Sequence, residues 1–152
     1  MAFSQNQNLT FVYQPQAAFG QITDAMGAVS SYGLYLGGQN AGSKLAGAIL
    51  AVSTDTANRD VQVGFNVGGT GTVPGVITGG TRYIFWTTTV ATGAGATGAV
   101  PSGNLLPSTM PTDSDGEQYM FIPANVYFIL SLPVGLSSGK IMNFYAPAIG
   151  DF

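Results

Sequence analysis

Clusters of glycine and proline cut this chain into runs too short for long helices and well sized for strands. GGQNAG (37–42), GGTGTVPG (68–75), TGG (78–80) and ATGAGATGAVPSGN (91–104) read as turns or loops. Glycine enters the left-handed backbone region without penalty, and proline fixes φ while removing a donor. The segments between them are rich in aromatic and β-branched residues, which suit a pleated sheet. Strands are expected at Leu9–Tyr13, Tyr32–Leu36, Leu45–Ser53, Val61–Val67, Tyr83–Val90, Tyr119–Ile122, Val126–Leu132 and Ile141–Tyr145. The clearest is VQVGFNV, where Val61, Val63, Phe65 and Val67 alternate with Gln62, Gly64 and Asn66. Period two sends one face into a core and the other to polar surroundings. Pro123-Ala124-Asn125 reads as the turn of a hairpin, since Pro123 cannot donate to a ladder.

One stretch carries a different period. Phe19, Ile22, Met26 and Val29 fall at steps of three, four and three, which predicts one short helix near the amino terminus, weakened by Gly20 and Gly27. About eight strands with one short helix predict an all-β fold, a single β-sandwich or jelly-roll domain over residues 1–152, with a closed barrel as the neighbouring option. Residues 1–8 are polar and Gln/Asn-rich, an arm whose order has to come from contact with something else. Their lack of a basic or apolar leader predicts a product made without a signal peptide. No apolar run approaches the ~20 residues of a membrane helix, so no membrane partner is expected.

Composition narrows the chemistry. Four basic and seven acidic residues make 7% charge, against about 25% in an ordinary domain, and histidine and cysteine are both absent. The usual general bases, thiol nucleophiles and soft metal ligands are therefore missing, and the reading is of a protein that is not an enzyme and uses no cofactor. Lys44, Arg59, Arg82 and Lys140 are scattered, which argues against nucleic acid, since phosphate neutralisation needs clustered cations. Forty-five percent apolar residues nevertheless allow a full core.

Several constellations were weighed against blander readings. A Ser–Lys dyad would have to pair Ser43 with Lys44, or Ser137 or Ser138 with Lys140; adjacency in sequence is weak support for a tuned pair. GGQNAGSK (37–44) approaches a phosphate loop, but serine and lysine are transposed and a strand follows. Asp113, Asp115 and Glu117 form the one dense acidic patch and are the weak candidates for a hard cation such as calcium; a solvated acidic turn is the plainer reading. Asp55, Asp60 and the 113–117 acids are the carboxylates a glycosidase would need, with nothing placing two across a cleft. Tyr32/Tyr35 and Tyr83/Trp86 could stack on a sugar, or fill a core or subunit interface.

Low charge suits packing against other subunits, because charges need not be desolvated at the contact. The carboxyl-terminal NFYAPAIGDF, ending on an aromatic, looks suited to docking on a neighbour. In these features, and in YMFIPANVYFIL (119–130), the chain resembles structural proteins of bacteriophage virions: head decoration (cement) proteins and minor capsid subunits. The resemblance implies a jelly-roll subunit on the capsid surface, a homotrimer that binds between major capsid subunits and stabilises the head. Another small capsid subunit, minor or vertex, and a carbohydrate-binding adhesion module of a fibre are the alternatives.

Overall fold

Alternating side chains and turn chemistry build ten strands in the computed structural model, which describes residues 14–38, 43–46, 48–96, 98–100, 102–112, 114, 116 and 118–150. In chain order these are β1 (Gln14–Thr23), β2 (Val29–Leu36), β3 (Ser43–Ala46), β4 (Leu50–Ser53) and β5 (Arg59–Val67). They continue as β6 (Gly75–Val76), β7 (Thr81–Val90), β8 (Tyr119–Ile122), β9 (Val126–Leu132) and β10 (Ile141–Gly150). Every pairing is antiparallel. Sheet A runs β1-β10-β3-β8, with β4 also on β10, and sheet B runs β6-β2-β9-β5-β7. The pairing is nested: β1 takes β10, β2 takes β9, β3 takes β8 and β5 takes β7.

The two sheets enclose one core. Ile22, Leu45, Met142 and Phe144 enter it from sheet A and Val61, Val63, Leu130 and Leu132 from sheet B. Two tyrosines tie the layers. Both lie on β2, where bulges between Val29 and Tyr32 and between Gly33 and Tyr35 aim them inward. The Tyr35 hydroxyl accepts from the Ala18 N–H at 2.7 Å and donates to the Ala146 carbonyl, an opposed pair on β1 and β10. The Tyr32 hydroxyl accepts from the Gln21 N–H at 3.0 Å.

The structure departs from the expected elements in several places, and Pro123-Ala124-Asn125 closes no hairpin, since β8 lies in sheet A and β9 in sheet B. The helix placed over Phe19–Val29 is the second half of β1, one 3₁₀ turn at Asp24–Met26 and the start of β2. The apolar spacing there came from residues on both faces of a strand: Ile22 is inward and buried, while Phe19 points outward and is 63% exposed. The carboxyl-terminal NFYAPAIGDF is built into the sheet over 143–150 as part of the inner strand β10, with Ala146 and Ala148 buried and Tyr145 outward and exposed. The expected strand Leu45–Ser53 is two strands, β3 and β4, and β6 was not anticipated. The expected arm 1–8 and strand Leu9–Tyr13 lie outside the described residues.

Loops finish both sheets. The 91–104 excursion lies along the edge of β4: Ser53 N–H donates to Ala94 O at 2.6 Å, Ser102 N–H to Ala51 O at 3.1 Å and Leu105 N–H to Ile49 O at 2.9 Å. Covering an edge in this way removes a template for unwanted strand addition. On sheet B, the 68–80 segment packs Ile77 against Tyr127 and Ile129 in a small second cluster, and Tyr127 O–H donates to Gly71 O at 3.0 Å.

Candidate interaction surfaces

The residues flagged for chemistry are mostly spent on the fold. Asp55 is buried and its carboxylate accepts from Arg59 Nε at 2.6 Å, Ser137 N–H at 3.2 Å and Ala57 N–H at 3.2 Å. Burial alone would raise its pKa; the hydrogen bonds from Arg59, Ser137 and Ala57 outweigh that and hold it well below the usual carboxylate range. Arg59 completes the clasp with a bond to the Ser137 hydroxyl at 3.1 Å. This arrangement joins the β4–β5 turn to the loop before β10. A carboxylate so enclosed has no reach to a substrate.

The Ser43–Lys44 pair is split across the strand. Ser43 is buried, and Lys44, next along the same strand, lies on the outward side with its ammonium 4.7 Å from the Tyr119 ring centroid. Successive side chains on a strand point to opposite faces, so adjacency separated these two. Ser137 is engaged with Arg59 and Asp55. Asp60 accepts from the Thr89 hydroxyl at 2.6 Å. It lines a groove of about 590 Å³ with Asn58, Arg59, Gln62, Thr87, Pro133 and Val134. Asp113, Asp115 and Glu117 lie outside the described residues, as do 39–42 of the loop that resembled a phosphate cradle. Among the described residues, no three His, Cys, Asp or Glu side chains come together, and no helix is long and apolar enough to cross a membrane.

The sugar platforms fare similarly. Tyr32 and Tyr35 are core residues, as above. Trp86 packs against the main core and its indole N–H donates to Leu105 O at 2.9 Å. Only Tyr83 of these four is exposed, at 52%.

Several large apolar side chains remain on the surface. Two patches stand out, each assembled by register. The first is the outward face of sheet A. Phe19, Tyr145 and Leu50 form a row across β1, β10 and β4, and Ile149, Lys44 and Phe121 form another across β10, β3 and β8. Phe19 is 63%, Tyr145 45% and Phe121 62% exposed. Lys44 is the one charged side chain on this face among the described residues. The second patch is the β7 side of sheet B, where a bulge between Val63 and Gly64 leaves Phe85 unpaired. Phe85 meets Phe65 edge-on with centroids 5.1 Å apart, and Tyr83, Phe85 and Val67 are all exposed there. Among these rings the sequence singles out Tyr83, and Tyr145 within NFYAPAIGDF, but does not mark Phe19, Phe121 or Phe85 as surface residues. Their direction depends on strand register, which local composition does not carry.

No family model, curated protein or solved structure matches this chain. The fold and these two patches define the chain only as an all-β protein of two antiparallel sheets with an unusually charge-poor, partly aromatic surface.

Proposed function

We propose that this chain is a virion structural protein, a capsid decoration or cement protein that binds between major capsid subunits and stabilises the head. In this reading it resides on the capsid surface as a homotrimer. The observation that carries it is the pair of separate aromatic patches on a chain with only 7% charged residues. A cement subunit must hold both the shell and further copies of itself, and two patches on different sheets supply two contacts. Desolvating such patches is favourable, whereas burying charged residues costs several kcal/mol per ion.

Strand order gives further support to a jelly roll. In that fold eight strands pair first with last and so on inward, then roll into two sheets. If β3 and β4 count as one interrupted strand and the two-residue β6 is set aside, the nested pairs β1–β10, β2–β9, β3–β8 and β5–β7 follow that scheme. We assign the capsid contact to the Val67, Tyr83 and Phe85 patch. Mass spectrometry of purified, nuclease-treated virions tests the proposal. Stoichiometric presence of the chain supports it, and absence from the particles contradicts it.

A further inference from the structure

We propose that the outward face of sheet A is the seat of a second copy of this chain. This deepens the functional reading by naming the surface between copies, but it needs no capsid and stands or falls by itself.

Area is the first argument. The strands of this face hold 32 residues, ten each in β1 and β10 and four each in β3, β4 and β8, which at about 4.8 Å by 3.3 Å apiece give roughly 500 Å². Two contacting surfaces of that size bury about 1,000 Å², the threshold a specific interface has to reach. Three rings exposed by 45–63% contribute roughly 300 Å² on each copy. Phe19 and Tyr145 are directly opposed across β1 and β10, so two exposed rings stand on neighbouring positions at the centre of the face. Large central aromatics are the usual anchors of protein contacts.

Charge is the second argument, and it selects the occupant. An ordinary protein surface would press charged side chains against these rings and leave them unsolvated. A second copy would not, because only 7% of its residues are charged. The face itself contributes Lys44, whose ammonium already lies over the Tyr119 ring and sits away from the Phe19–Tyr145 centre, on β3. The contrast with sheet B strengthens the case, since that sheet carries its own cover: the 68–80 segment places Ile77 on Tyr127 and Ile129.

Sedimentation velocity of the full chain without capsids is the test. Wild type is expected to sediment above the monomer mass at micromolar concentration. Phe19→Asp combined with Tyr145→Asp should raise the dissociation constant at least about a hundred-fold, leaving monomer with an unchanged far-UV circular dichroism spectrum. Phe19→Ser with Tyr145→Ser provides a milder second variant should the charged pair unfold. Val134→Asp, at a position 61% exposed on a different surface, should keep the oligomer. A monomeric wild type overturns the proposal, as does an oligomer that survives either folded double variant. Failure of capsid binding in a chain that still oligomerises would count against the cement reading alone.

Discussion

The hydroxyl of Tyr35 on one sheet donates to the carbonyl of Ala146 on the other while accepting from the N–H of Ala18. One phenol thus bridges two backbone groups of the other sheet, on residues opposed in register across β1 and β10. Removing the hydroxyl leaves a buried N–H without an acceptor. Tyr35→Phe is expected to cost about 1–3 kcal/mol in urea unfolding, with the native circular dichroism spectrum retained.

The same group gives a pH signature. Burial pushes the Tyr35 phenol up to about 12 from 10.0, against an opposing pull from the Ala18 N–H. The unfolded chain ionises first as pH rises, so the contribution of this phenol is complete below pH 10 and is lost between pH 10 and about 12. Urea midpoints measured from pH 9 to 11 should fall more steeply in wild type than in Tyr35→Phe. Parallel curves would show that Tyr35 is not the group concerned.

The clasp at Asp55 acts at the other end of the scale. Its native pKa is depressed, so its contribution is present above the unfolded value of about 4 and fades as pH falls toward the native one. Asp55→Asn removes the charge facing a largely buried Arg59 and should destabilise by about 3–5 kcal/mol at pH 7. The gap between variant and wild type should narrow at pH 3. A constant gap in urea midpoints at the two pH values would contradict the assignment.

Gly64 lies where β5 and β7 come together at the bulge. A methyl group on it would sit 1.9 Å from the Tyr83 carbonyl oxygen, so Gly64→Ala must push the strands apart. The expected loss is about 1–3 kcal/mol or more, read by thermal or urea unfolding. Displacing β7 should also disturb the Tyr83 and Phe85 patch.

Trp86 and Tyr83 should behave differently. Trp86→Ala opens the core and strips the Leu105 carbonyl of its indole donor, for an expected loss of about 3 kcal/mol. Tyr83→Ala should cost under about 1 kcal/mol because the ring is half exposed. Urea unfolding of both variants checks this. Equal effects would mean that Trp86 is a surface residue, as a sugar platform would need.

Much of the sheet structure was legible because its strands keep one apolar face. β8 and β9 begin and end at Tyr119–Ile122 and Val126–Leu132 as expected, but Pro123-Ala124-Asn125, with Asn125 at φ 60, carries the chain from sheet A to sheet B instead of closing a hairpin. β1 was illegible for a physical reason. Its inward positions are the small Ala18 and Gly20 followed by Ile22, while the outward position 19 holds a phenylalanine. Gly20 is small because Tyr32 and Leu34 fill its space; a Cβ there would lie 2.7 Å from the Tyr32 ring. Large residues outside and small ones inside invert the usual alternation. The first half of β10 was expected at Ile141–Tyr145, while its second half hid behind Ala146, Pro147 and Ala148, which are poor strand formers locally. The features that obscured β1 are the ones that make its face sticky.

Binding to a shell is tested most directly by mixing purified protein with capsids stripped of accessory proteins and sedimenting the mixture through a sucrose cushion. The protein is expected to pellet with the capsids, saturating at a fixed ratio to the major capsid protein, and Tyr83→Asp is expected to weaken this binding. A chain that stays in the supernatant at every concentration would contradict the cement reading.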